Sequence, residues 1–119
     1  MATRTVGRIQ TRAAFGQLRR SGARASCGPV RAAFVPVAPG VRGVYPQVGY
    51  AIGRRCGHAV ARNTLRRRLR EATRDVAGSL PRGIYLVRLE PAAATTDPAQ
   101  LTTFVQQALQ RAGQAAGEV

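Results

Sequence analysis

Guanidinium groups carry whatever chemistry this sequence can do. Residues 54 to 74, RRCGHAVARNTLRRRLREATR, hold eight arginines and one acidic residue, Glu71. Each arginine offers planar, bidentate donors that match phosphate oxygens, and it keeps its charge at any biological pH. Wound at about 3.6 residues per turn, Ala61, Leu65, Leu69, Ala72 and Val76 fall on one stripe. Arg62, Asn63, Arg66, Arg67, Arg70 and Arg74 then fall on a broad adjoining face. Arg62, Arg66, Arg70 and Arg74 recur in four-residue steps, and like charges at that spacing oppose helix formation. A merely solvated face would interleave both signs. A helix held by its leucines and armed in this way suits a repetitive polyanion, and a nucleic-acid backbone is the partner that fits.

Other chemistries find little support. His58 is the only histidine, and Cys27 and Cys56 are the only cysteines, with no close spacing between them. Zinc sites and Ser-His-Asp arrangements need more than that. The two thiols read as reduced and partly buried. Five carboxylates spread over the chain make a protein-ligated two-metal nuclease site a poor expectation. The sequence therefore implies no catalytic residue and no metal ligand of its own. No apolar run approaches membrane-spanning length, and the basic start lacks a following apolar segment. The expectation is a cytoplasmic protein with no membrane role.

The elements that must position these groups come next. The 119 residues suffice for one domain, 1–119, with residues 1–10 and 114–119 expected to be loosely ordered. All nineteen basic residues are arginine, and the net charge is +14. Self-repulsion at that density opposes compaction, and a bound polyanion would relieve it. Thr11 can cap a short helix presenting Phe15 and Leu18 and ending near Gly22. Extended chain follows around Ala23 to Cys27, then Gly28-Pro29 breaks it. Val30 to Val37 and Gln47 to Gly53 read as strands, and the Pro/Gly-rich loop between them suits an antiparallel hairpin. The arginine helix spans His58 to Val76, and Gly83 to Leu89 has the strongest strand character in the chain. Asp97-Pro98 caps a last helix with Leu101, Phe104, Val105, Ala108, Leu109 and Ala112 on one stripe up to Gly113. The order is α-β-β-β-α-β-α, an α+β domain whose helices pack on a small central sheet.

The stretch VGYAIGRRCGHAVARNTLRRRLREATR, Val48 to Arg74, closely resembles the core signature of the bacterial ribonuclease P protein subunit. In that family a strand ending in a basic pair runs into Gly-x-Ala-Val, then Arg-Asn, then a basic helix. Here those elements are Arg54-Arg55, Gly57, Ala59-Val60, Arg62-Asn63, Arg66-Arg67 and Arg70-Glu71. The N-terminal RIQTRAAFGQLRRSGAR, the IYLV strand and the final helix also fall where the family has its elements, so the resemblance covers nearly the whole chain. Thr64 stands where the family commonly has a second arginine, and Arg19 where it often has an aromatic.

The resemblance implies a ribosomal protein S5 domain 2-like fold with a left-handed βαβ crossover, against the usual right-handed rule. It implies a ribonucleoprotein endonuclease that removes the 5′ leader of precursor tRNA. In that family the RNA subunit holds the catalytic Mg²⁺ ions. The protein binds this RNA and the leader, broadens the substrate range, lowers the Mg²⁺ requirement and needs no protein partner. Arg54, Arg55, Arg62, Asn63, Arg66, Arg67, Arg70 and Arg74 are then the expected contacts to the catalytic RNA. Asn63 would lend an amide to a phosphate or 2′-hydroxyl. The leader cleft between the first helix and the sheet would use Phe15, Arg19, Arg31 and Phe34, the phenylalanines stacking on bases. Core packing is the competing reading for both rings. Tyr50, Tyr85 and Phe104 read as core, and His58 as serving the helix start. The alternative function is a basic ribosomal or other structural RNA-binding protein. The Gly-x-Ala-Val-x-Arg-Asn block, which charge alone does not demand, distinguishes the two.

Overall fold

The computed structural model describes residues 23–36 and 46–117. Strands β1 (Ala23–Cys27) and β2 (Val30–Pro36) form an antiparallel hairpin in which Cys27 pairs with Val30. Its turn is Gly28-Pro29. Gly28 has φ +54°, and a Cβ there would lie 2.8 Å from the Phe104 ring, so both backbone and space call for glycine. Strand β3 (Gln47–Ala51) leads through a 3-10 turn (Arg54–Cys56) into helix α1 (Ala59–Val76). Strand β4 (Gly83–Leu89), a 3-10 segment (Pro91–Thr95) and helix α2 (Pro98–Gly117) complete the described chain. The expected first helix, with Phe15 and Arg19, lies outside the described residues.

The four strands lie in the order β1-β2-β4-β3, with β4 antiparallel to β2 and parallel to β3. This corrects the expected hairpin between the second and third strands. The most apolar strand takes a central position, where both its edges are hydrogen-bonded, and it separates β2 from β3. Helix α1 provides the crossover that a parallel β3/β4 pair requires.

Alternation divides the sheet into two faces. Ala25, Cys27, Val30, Ala32, Phe34, Val48, Tyr50, Tyr85, Val87 and Leu89 belong to the inner face, which α1 and α2 cover. Phe34 is 1% exposed and stacks on Tyr85 with ring centroids 4.3 Å apart. That corrects its expected role at the leader cleft. The ring points into the core, where its area stabilises packing and no base can reach it. Tyr85 is fully buried and its hydroxyl donates to the Pro81 carbonyl at 2.6 Å. Both cysteines are free and buried.

The helices follow from their sequence. Asp97 Oδ2 accepts the backbone N–H groups of Ala99 and Gln100 at 3.1 and 3.3 Å, opening α2 as expected. Leu101, Val105, Ala108, Leu109 and Ala112 are buried along its stripe, and Phe104 is half-buried against the core. The helix continues past Gly113. A Cβ at that position would sit 2.9 Å from Pro81 and 3.2 Å from the Tyr85 hydroxyl, so this glycine permits close approach instead of ending the helix. On α1, Leu65, Leu69, Ala72 and Thr73 are buried and Val76 is half-buried. Ala61, expected on the same stripe, is exposed, as are Ala59 and Val60 beside it.

Candidate nucleic-acid interface

Helix α1 separates its charges by side. Leu65, Leu69 and Ala72 fix which side faces inward. From there Arg62, Arg66, Arg70, Asn63, Arg74 and Arg67 sweep across an arc of roughly 140° at about 100° per residue. Glu71, Asp75 and Arg68 occupy the other flank, where they line a groove with Pro98, Ala99 and Thr102 of α2. The acids of the helix are thus turned away from its arginine face. Arg62 and Arg66 are half-buried at the border of the core, while Asn63, Arg67, Arg70 and Arg74 are exposed.

The arginine face is held to the edge of the sheet. Tyr50 of β3 donates from its hydroxyl to Thr73 Oγ1 at 3.0 Å, and Thr73 donates to the Leu69 carbonyl at 2.8 Å. The buried threonine therefore has a use for both its lone pair and its proton. Burial pushes the Tyr50 hydroxyl above the usual tyrosine range, against the opposing pull of the Thr73 hydrogen bond and of the nearby Arg70 and Arg74 charges. Arg70 and Arg74 consequently border β3, the strand that feeds the Arg54–Cys56 turn.

Arg54 and Arg55 are exposed on that turn, and Cys56 beneath them is 2% exposed, its Sγ 3.6 Å from the Glu90 carbonyl. The buried thiol anchors the turn while the two guanidinium groups face outward. Gly57, with φ +128°, lets the chain reverse into α1. His58 occupies the N-cap position, as expected, but makes no capping side-chain hydrogen bond. No acid stands in the first turn. Arg66 donates to Asn63 Oδ1 at 3.2 Å, leaving the Asn63 amide N–H₂ free to donate. Thr64 Oγ1 donates to the Val60 carbonyl at 3.1 Å and so turns its hydroxyl back to the helix. Arg62 Nε is buried with no hydrogen-bond partner.

The second basic surface is the outer face of the sheet. Arg24, Ser26, Arg31, Ala33, Leu86 and Arg88 line a shallow groove there. Arg31 and Arg88 stand directly opposite each other on β2 and β4, a pairing that repels. Glu90 offsets it, its carboxylate 3.6 Å from Arg31 Nε, and Arg31 also donates to the Gly28 carbonyl at 3.2 Å. Arg31 is thus a tethered cation, and Arg88 is exposed beside it. Of the arginines lining this groove, the sequence points to Arg31 alone. Arg88 joins it only through the β2/β4 register, which no local pattern in the sequence announces. Phe15 and Arg19 are outside the described residues, and Phe34 is on the opposite face. Among the described residues no group of three or more His, Cys, Asp or Glu could hold a metal ion, and no helix is long and apolar enough to cross a membrane.

Known proteins share the sequence and the fold of this chain. The family model described as Ribonuclease P matches residues 4–113. The ribonuclease P protein component of Thermobifida fusca is 37% identical over 107 residues, covering 86% of this chain and 73% of that protein. The same component from Symbiobacterium thermophilum is 36% identical over 107 residues, covering 89% of this chain and 90% of the relative. Among solved structures, a Staphylococcus aureus RNase P protein mutant superposes with a TM-score of 0.76 at 19% identity, covering 88% of this chain and 86% of that one. The RNase P protein from Thermotoga maritima does so with a TM-score of 0.74 at 22% identity, covering 87% and 96%.

Proposed function

The chain belongs to the ribonuclease P protein family, and from that membership we propose which of its surfaces serves which RNA. As a member it is the RNA-binding, non-catalytic subunit of an RNA-based endoribonuclease, acting with a catalytic RNA to remove the 5′ leader of precursor tRNA. Its side chains do not perform the hydrolysis. They bind, position and neutralise.

The arginine face of α1, continued by Arg54 and Arg55, docks the catalytic RNA. One observation carries this reading. The helix turns Glu71 and Asp75 toward α2 and leaves Arg62, Asn63, Arg66, Arg67, Arg70 and Arg74 together on the opposite flank. A helix cross-linked to β3 through Tyr50 and Thr73 holds the backbone positions of these arginines at fixed spacing before RNA arrives. The outer sheet face, with Arg31 and its neighbours Arg24 and Arg88, receives the leader, and Phe15 and Arg19, outside the described residues, are assigned to the leader by the family resemblance. Mg²⁺ belongs to the RNA subunit in this reading. The protein acts in the cytoplasm, where tRNA precursors are processed, and needs no further protein.

Reconstitution tests it. Precursor-tRNA cleavage is measured with protein alone, catalytic RNA alone, and both together at low Mg²⁺. Cleavage that requires both components at low Mg²⁺ is the expected result. Cleavage by the protein alone, or no gain from adding it, would overturn the reading.

A further inference from the structure

Val60 is 79% exposed, a large apolar side chain standing in solvent on the first turn of α1, with Ala59 and Ala61 exposed on either side. Among the described residues it packs against no part of the core. The stripe that packs the helix begins one turn later, at Leu65. Val60 is i−3 to Asn63 and i−7 to Arg67, so it continues the arginine face toward the N-terminus of the helix. Ala59 stands in the same relation to Arg62, Asn63 and Arg66. The preceding turn adds the exposed Arg54 and Arg55. A small apolar patch is therefore framed by cations before and after it.

We propose that Ala59 and Val60 form an apolar contact with the catalytic RNA, seated on the sugar edge of its backbone between phosphates held by the flanking arginines. This rests on the arginine face as the docking surface and adds a second kind of interaction to it. The charge around the patch selects the occupant. A second copy of this chain, with net charge +14, would bring like charge against Arg54, Arg55 and Arg67, whereas an RNA backbone brings phosphates at each side. Between its phosphates that backbone presents ribose C–H groups, and in A-form RNA they line a wide, shallow minor groove. Alanine and valine are small enough to let the helix approach such a surface, and Thr64, its hydroxyl turned back to the Val60 carbonyl, does not stand in the way.

The two kinds of contact have different salt signatures. Each arginine–phosphate contact releases counterions and steepens the dependence of affinity on salt. An apolar contact releases none. Affinity of the catalytic RNA for the full-length protein is measured across a monovalent salt series for wild type, Val60→Ala, Val60→Thr and the double variant Arg66→Ala/Arg70→Ala. Val60→Ala should weaken assembly roughly four- to fifteenfold at every salt concentration with an unchanged slope, as expected for removing one to two buried carbons from the contact. Val60→Thr should also weaken it, since the shape is kept and the apolar character is not. The arginine double variant should instead flatten the slope. Melting temperature controls for folding, and an exposed Val→Ala change in a helix should not lower it.

Val60→Ala binding within twofold of wild type overturns the proposal, as does a Val60→Ala loss matched by a fall in melting temperature. So does Val60→Thr binding like wild type, which would make the residue a spacer. A changed association state of the RNA-free protein with unchanged RNA affinity would assign the patch to a second copy and overturn it too. A flattened slope in the arginine variant with no effect at Val60 removes this proposal and leaves the docking surface standing. An unchanged slope in the arginine variant removes the docking surface itself.

Discussion

Phe34 separates two readings that its sequence neighbourhood leaves level. Val30, Ala32 and Phe34 alternate with Ala33 and Val35, so both faces of β2 are apolar and alternation alone does not say which one meets the helices. The structure decides it by stacking Phe34 on Tyr85 at 4.3 Å. Phe34→Ala should accordingly cost about 3–5 kcal/mol of stability, read by denaturant unfolding, with no selective loss of precursor-tRNA affinity in whatever fraction stays folded. Tyr85 and Tyr50 make a second residue-scale prediction. Both hydroxyls are pushed above the usual tyrosine value of 10.0, chiefly by burial. The fold therefore keeps protons that the unfolded chain gives up, and the stability this confers is full below pH 10 and falls as pH rises beyond it. Unfolding measured from pH 8 to 11 should show that fall. Tyr85→Phe should make it shallower, although it also loses the hydrogen bond to Pro81, worth about 1 kcal/mol at neutral pH.

At the scale of elements, helix α1 was legible because its apolar spacing and its charge both follow one local period, and Leu65, Leu69 and Ala72 are buried as that period requires. Strand pairing was not legible in the same way. Which strand lies beside β2 depends on β4, which is distant in sequence, and the Pro/Gly-rich sequence after Pro36 reads like a hairpin connection. The same non-local pairing hid Arg88, which joins Arg31 only through the β2/β4 register. The outer sheet face carries its own expected outcome. Arg31→Ala with Arg88→Ala should weaken binding of precursor tRNA bearing a leader and leave mature-tRNA binding and holoenzyme assembly nearly unchanged. Equal losses for precursor and mature tRNA would deny the leader this face.

For the whole molecule, the balance of charge dominates. A net charge of +14 on 119 residues works against the compact state. Anions that bind only the native arrangement of arginines should stabilise it by mass action. Thermal unfolding in sulfate or pyrophosphate should show a clear rise in melting temperature beyond that in chloride at matched ionic strength. Identical melting in all three would mean that the arginines form no anion site before RNA binds.

The central place of β4 has a consequence for synthesis. The strand that joins the hairpin β1-β2 to β3 is the last of the four to leave the ribosome. While the chain ends before Gly83, the arginine helix already exists as sequence but has no completed sheet to rest on, and Tyr50 and Thr73 have no common framework to keep them together. A nascent chain therefore carries its full complement of RNA-binding charge well before that charge acquires its spacing. Specific docking becomes available only when β4, and then α2, are released. A prematurely terminated chain should bind RNA as a polycation, without the selectivity of the finished protein.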